Sequence, residues 1–543
     1  MTTTIRGADA LLRALCSAGV DTIFTVSGNH IMPVFDAALD HGITLVHARH
    51  EAATVHMADA YARLTGKCGV ALVTGGQGHT NAAAALPTAL AGEMPVLLLS
   101  GHAPLGEVGL GAFQELDNAA IAAPLTKHSA VASSAAALPA ELAAAMRAAR
   151  AGRPGPVHLS LPTDVLDARI DTDDVAWPDA DAFAPAAMAL APETAATIRA
   201  AIAAAARPLV LAPPSLCTPS GRALLARLGS ALGVPVLPMQ SPRGLNDPSL
   251  GAAAEMFARA DLVVLLGKAM DFTLRYGRKP GFAPDARWIA VDPDAEMLAR
   301  AARAQGPRLI VAALAAPAEA AAALAIGAPA AAHSGWAREV AAAIAWRPPA
   351  WDTLRQGSQP IHPVTLYAAL APHLDADTVL VSDGGEIGQW AQSLLADAAP
   401  IVNGVAGAIG SAIPFAIGAR AAQPKSRVVA IMGDGTFGFH MAEFDTALRH
   451  NLPFVAVVGN DSRWNAEHQI QLREYGAQRA HSCELAPATR YDRVVEALGG
   501  HGEFVTDAAD LPAAFARAIA SGKPACVNVM IDGQPAPTLR RPG

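Results

Sequence analysis

The stretch VVAIMGDGTFGFHMAEFDTALRHNLPFVAVVGNDS, residues 428–462, decides the fold. Its apolar opening reads as a buried strand running into Gly433-Asp434-Gly435. Met441, Phe444 and Leu448 then recur at helical spacing, and a second apolar run ends at Gly459-Asn460. Strand, tight turn, helix and strand make the repeating unit of a parallel sheet. Two chemical readings of the turn stand. Gly433-x-Gly435-x-x-Gly438 after a strand has the form of a dinucleotide-binding fingerprint, with Asp461 as the ribose-gripping acid, which would make an NAD-binding oxidoreductase. The side chains favour another ligand. Asp434 puts a carboxylate at a helix start that attracts phosphate. A bare carboxylate repels a diphosphate unless a cation lies between them. Asp434, the amide oxygen of Asn460, a main-chain carbonyl near Ser462 and diphosphate oxygens would complete an oxygen shell for magnesium.

The same alternation runs outward through the chain. DTIFTVSG, ITLVHAR, CGVALVTGG, MPVLLLSG and PGPVHLSLP read as strands of a first unit, with helices such as HEAATVHMADAYARLTG between them. RPLVLAPP, GVPVLPM, ADLVVLLG and ARWIAVDPD belong to a second, and TVLVSDGG, RVVAIMGDG, LPFVAVVGND and PACVNVMID to a third. The expectation is an α/β chain of three doubly wound parallel-sheet domains, at 1–170, 190–330 and 355–535, joined by linkers around 172–192 and 315–360. Its 543 residues suffice for three cores, and 52% hydrophobic against 16% charged residues excludes a disordered polymer. A net charge of −8 argues against nucleic acid as a partner. The five scattered cysteines contain no C-x-x-C pair, so neither a disulfide framework nor a cysteine zinc site is expected. Arg6, Asp9 and Arg13 interrupt the N-terminus where a signal peptide needs an apolar run, and no apolar stretch reaches membrane-spanning length. A cytoplasmic protein with no membrane partner is expected.

With Gly433-Asp434-Gly435…Asn460 in place, the chain resembles the thiamine-diphosphate-dependent enzymes of the acetolactate synthase-like superfamily over nearly its whole length. The resemblance also rests on Arg49-His50-Glu51-Ala52-Ala53, Ala60-Tyr61-Ala62-Arg63, Gly76-Gln77-Gly78-His79-Thr80-Asn81, Gly111-Ala112-Phe113-Gln114-Glu115 and Thr126-Lys127-His128. It continues in Gly152-Arg153-Pro154-Gly155-Pro156 and Gly407-Ala408-Ile409-Gly410…Pro414…Gly418, all in the family's order. The resemblance implies a pyrimidine-binding first domain, a central domain and a diphosphate-binding third domain. It further implies a homodimer or homotetramer that clamps thiamine diphosphate and Mg2+ between the first domain of one subunit and the third of another.

Under that resemblance Glu51 is the catalytic carboxylate on the aminopyrimidine, favouring the imino tautomer that deprotonates the thiazolium carbon. Ile409 is the apolar wedge that bends the cofactor, and Gly407 offers it a carbonyl. Gly433, Asp434, Gly435 and Asn460 hold the diphosphate and metal, with Gly385 and Glu386 lining the same pocket. Asn29, His30, Phe113, Gln114 and Glu467 face the reacting carbon, with His468 beside them. His79 touches the cofactor or holds its glycine-rich loop. Gly267–Gly277 and Gly111–Glu115 look more like 2-hydroxyacyl-CoA lyases and oxalyl-CoA decarboxylases, and the shortened middle-domain segment argues against flavin. A C–C lyase or carboligase of the 2-hydroxyacyl-CoA lyase type is narrowly favoured, with Arg275, Arg278 and Lys279 near CoA phosphates. The alternative is a flavin-independent acetolactate synthase or 2-oxo acid decarboxylase. Substrates are small: a 2-oxo acid, an aldehyde or ketone, or an acyl-CoA.

Overall fold

A computed structural model describes residues 4–327, 333–395 and 399–541. Three all-parallel sheets appear in chain order, each covered by helices. The first has six strands in the spatial order Thr44–His47, Thr22–Thr25, Gly69–Val73, Val96–His102, Val157–Pro162, Ser129–Val131. The second has five, Val236–Pro238, Pro208–Ala212, Leu262–Leu266, Arg287–Asp292, Leu309–Leu314. The third has six, Ala399–Val402, Val379–Ser382, Val428–Gly433, Val455–Asn460, Ala525–Met530, His501–Val505. A two-stranded antiparallel ribbon, Thr4–Arg6 with Arg169–Asp171, ties the start of the chain to the end of the first unit. The inner strands are runs of Val, Leu, Ile and Ala buried on both faces, the composition such sheets require.

Ala- and Pro-rich residues 315–360, read as a linker, are largely helical where they are described. They contain helices Pro317–Ala325 and Ser334–Ala345, and Trp336, Val340 and Ala343 of the second bury against the central sheet. Alanine's helix propensity, with an apolar face to cover, outweighs the prolines, which stand at helix starts or beyond helix ends. Residues 328–332 of this stretch lie outside the described residues.

The first and third units share one hydrophobic core. Helix Glu51–Thr65 packs on helix Ala412–Ala422, and Met57, Ala60 and Tyr61 join Phe415, Ala416 and Ala419 in it. Arg63 pins the contact: its guanidinium pairs with Asp59 at 2.7 Å, donates to the Val402 carbonyl and lies over Phe415. At the crossing, a Cβ on Gly418 would stand 2.2 Å from the Met57 carbonyl oxygen. Gly418→Ala gains about 1 kcal/mol of helix propensity but overpacks a backbone that cannot retreat, at a cost of roughly 2–3 kcal/mol or more. Scanning calorimetry should therefore show a lower Tm; an unchanged or raised one would contradict this packing.

Candidate functional site

In the third sheet the strand order reverses between Val379–Ser382 and Val428–Gly433. The loops leaving their carboxyl ends diverge there and open a crevice, the place where open α/β sheets bind ligands. A cavity of about 260 Å³ occupies it, lined by Asp383–Glu386, Gly407, Ile409, Gly433–Thr436, Asp461, Arg463, Trp464 and Glu467, with Ser241–Arg243 reaching over from the central unit.

Asp383 organises one wall. It is buried, and its carboxylate accepts from the N–H groups of Gly384, Gly410 and Ala412 at 2.7–3.1 Å. Burial pushes it up to about 6 against those donors. The loop it grips carries Ile409 into the cavity. Gly384 has to be glycine because a Cβ there would sit 2.7 Å from the Ile409 side chain. His440 fixes the same loop from the other side, its Nδ1–H donating to the Gly410 carbonyl at 2.7 Å.

Asp434 opens the helix Asp434–His440 and is 3% exposed. One of its oxygens accepts from Gly435 N–H, and the other is buried with no hydrogen-bond partner among the described residues. Asp461 lines the same cavity. Burial and the charge of Asp434 push its carboxyl up to about 7, and burial raises Asp434 to about 6. Two carboxylates lining one cavity, Asp434 buried and Asp461 half-buried, are a donor set for a cation.

Of the three residues expected to hold a cation, Asp434 lines the cavity, and Asn460 and Ser462 stand behind its wall. Asn460 is fully buried and does not line the cavity. It ends its strand in register with Met530, so its side chain turns into the sheet edge. There its amide donates to Asn528 and Thr489, and its oxygen accepts from Ser462 N–H. Ser462, at φ 58°, gives its carbonyl to Leu485 N–H, while its own main chain lies beside the Asp434 carboxyl. The cavity is lined one residue later in each case, by Asp461 and Arg463.

Glu386 lines the cavity mouth, accepts from Ala536 N–H at 2.9 Å and lies 3.6 Å from Arg243. Gly385 lines it too, at φ 80°, and Glu467 stands exposed on the first turn of helix Asn465–Tyr475. Asp383 and Arg243 are charged lining residues that sequence reasoning left unassigned, and Asp461 was read only as a ribose-gripping acid. The Ser-Asp-Gly-Gly turn ending a strand, parallel to the Gly-Asp-Gly turn, was the available signal for Asp383.

A second crevice opens in the first sheet, where the order reverses between Thr22–Thr25 and Gly69–Val73. Glu51 stands beside it as the first residue of its helix, and His50 caps that helix by accepting from Ala52 N–H. Asn81 donates to Glu51 Oε2 at 3.0 Å, and Gly78 leaves the space in front of Oε1. His30 is buried there against Thr74, its ring 5.9 Å from Phe113, and burial holds it below the usual histidine range and so neutral. Phe113 is 67% exposed, Asn29 is exposed, and Gln114, at φ 54°, closes over Gly76. Of the two roles expected of His79, contact with the cofactor or support of the loop, its placement fits the second. It is fully buried beneath the glycine-rich loop, bonded to Ser100 and 4.7 Å from the His158 ring, so it holds the loop and presents nothing to the crevice. Glu51 is not among the residues lining the Asp434 cavity of its own chain.

Residues 5–121 match the thiamine pyrophosphate enzyme N-terminal TPP binding domain, 195–320 the central domain and 383–529 the C-terminal TPP binding domain. The chain belongs to the thiamine pyrophosphate enzymes. Similar members include a probable acetolactate synthase of Mycobacterium bovis, 33% identical over 97% of this chain and 96% of its own. A 2-hydroxyacyl-CoA lyase 2 of Bos taurus is 31% identical over 92% and 85%, and a probable acetolactate synthase large subunit of Methanocaldococcus jannaschii 28% identical over 99% and 94%. As a thiamine pyrophosphate enzyme, the chain carries one crevice in each of the two cofactor-binding units. The crevice of the third unit holds the Gly433–Gly435 turn with Asp434, and Asp461 lines the same cavity. Among the described residues no helix is long and apolar enough to cross a membrane.

Proposed function

We propose that this chain is a thiamine diphosphate- and Mg2+-dependent, non-oxidative C–C lyase or carboligase acting on 2-hydroxyacyl-CoA-type substrates in a homodimer or homotetramer. Thiamine diphosphate, when bound, supplies a carbon that serves as an acyl-carbanion equivalent. The residues of this chain would do the rest. Asp434, Asp461 and the Arg463 main chain would hold the cation on the diphosphate, and Gly407 and Ile409 would shape the seat of the rings. Glu51, delivered by the partner subunit's first unit, would hold a proton at the pyrimidine. Neutral His30, Gln114 and Glu467 would orient the substrate carbonyl and exchange protons at its oxygen, with Phe113 excluding water.

One observation carries the acyl-CoA preference. Loop 272–281 puts Phe272, Arg275, Tyr276, Arg278 and Lys279 on the surface, aromatic rings among cations. It packs directly on the segment that carries Arg243 to the cavity mouth, with Gly244 against Thr273 and Gly281 against Leu245 and Arg275. A substrate with a phosphate-rich adenine tail finds both rings to stack on and cations to pair with along one edge. Arg275→Ala/Arg278→Ala/Lys279→Ala is expected to raise KM for a 2-hydroxyacyl-CoA by roughly 10- to 100-fold, at about 1.4 kcal/mol per tenfold, and to leave turnover of pyruvate unchanged. The holoenzyme should be screened with both, with products read by mass spectrometry. Acetolactate formed from pyruvate with no acyl-CoA turnover would replace this reaction by the second reading, which the Mycobacterium bovis relative supports.

A further inference from the structure

We propose that Glu443 is the residue that positions Glu51, by fixing the backbone from which its helix starts; the inference rests on the reading of Glu51 given above. Glu443 is 1% exposed and opens helix Glu443–Arg449, which follows the helix of Asp434 after Met441 and Ala442 alone. Its carboxylate crosses to the first unit and accepts from Arg49 N–H at 3.1 Å and His50 N–H at 3.0 Å, the two amides immediately before Glu51. Thr446 donates to its second oxygen at 2.6 Å and holds the group in that orientation.

The neighbours extend the same grip. Arg449 donates to the His47 carbonyl at 2.7 Å, and His450 accepts from His47 N–H at 2.9 Å. The main chain from 47 to 50, between the strand Thr44–His47 and the helix of Glu51, is thus held by a cluster from the third unit. Asn81 then holds the Glu51 carboxylate itself. A buried carboxylate that accepts amide N–H groups is a strong and directional anchor, and its charge also favours the helix N-terminus beside it. A site residue that shifts by about 1 Å can lose on the order of 100-fold in rate. Residues 434–443 therefore carry both a metal-facing carboxylate and the anchor of the glutamate.

The test compares Glu443→Ala, Glu443→Gln and Glu51→Gln in the full chain. Glutamine keeps an acceptor oxygen for the two amides and alanine keeps none. In the cofactor-free protein, amide hydrogen exchange at Arg49 and His50 should quicken at least about tenfold in Glu443→Ala and much less in Glu443→Gln. In the loaded enzyme Glu443→Ala should lower kcat roughly 10- to 100-fold with KM and cofactor Kd within about twofold, and Glu443→Gln should recover most of it. Unchanged exchange at 49–50, or faster exchange with an unchanged kcat, overturns the proposal. Should Glu443→Ala not fold, Thr446→Val frees the same carboxylate, and exchange and kcat must again move together. If Glu51→Gln retains full activity, the reading of Glu51 falls, whereas the exchange result reports on Glu443 alone.

Discussion

Glu51→Gln is expected to bind thiamine diphosphate within a few-fold of the unaltered chain while turning over roughly 10²–10⁴-fold more slowly, the range lost with a general acid–base group. The geometry makes this a clean substitution. Asn81 donates to Glu51 Oε2, so the introduced amide must turn its oxygen to Asn81 and its NH2 toward the crevice. It can still give a hydrogen bond there, which preserves binding, but it has no proton to pass back and forth. His50 caps the helix through its own ring and Glu443 holds the preceding amides, so neither contact depends on the altered side chain. Cofactor titration by fluorescence quenching, paired with steady-state kinetics, separates the two effects. Full activity would remove Glu51 from the chemistry, and lost cofactor binding would make its role structural.

What was legible in the sequence follows burial. Strands at the centre of each sheet, such as Gly69–Val73, Leu262–Leu266 and Val455–Asn460, are buried on both faces and write themselves as unbroken apolar runs. The strands missed are at sheet edges: Ser129–Val131, Leu309–Leu314, Ala399–Val402 and His501–Val505. Several are only partly covered, and a sequence such as HGEFV carries no apolar run to announce them. The antiparallel ribbon escaped notice for the same reason. At the site, the turn Gly433-Asp434-Gly435, weak by itself, was legible because two strands bound it and Asn460 ends the second. His79 was not, since a histidine in a glycine-rich loop looks alike whether it points to a ligand or, as here, to Ser100 and His158 inside. Glu443 lay hidden because its partners stand nearly 400 residues away, and no local pattern records them.

Whether Asn460 or Asp461 holds the cation has a measurable consequence. Both are polar, adjacent and at a strand's carboxyl end, so composition alone does not rank them; the alternation of side chains along an extended backbone does. Asn460 turns toward Asn528 and Thr489, and Asp461 lines the cavity with Asp434. Asp461→Ala and Asp434→Ala are each expected to abolish metal-dependent retention of thiamine diphosphate on gel filtration. Asp461→Asn should raise the Mg2+ concentration needed by about tenfold or more, since it keeps an oxygen donor but loses a charge. Without cation the effect reverses. Two carboxylates lining one cavity repel, and their ionisation is held up to about 6 at Asp434 and about 7 at Asp461. Carboxyl groups raised in the folded state stabilise it when protonated, so the cation-free chain loses stability as the pH climbs through that window. Asp461→Asn removes the repulsion and should raise the Tm of the cation-free protein at pH 8 by roughly 2–4 °C while shrinking the rise that Mg2+ and cofactor produce. Asn460→Ala should do the opposite, lowering Tm in both states by breaking a buried hydrogen-bond cluster worth about 1–3 kcal/mol, with the Mg2+ requirement of the folded fraction unchanged. Were Asn460→Ala to raise the Mg2+ requirement and Asp461→Ala to leave it alone, the cation would belong to the amide after all.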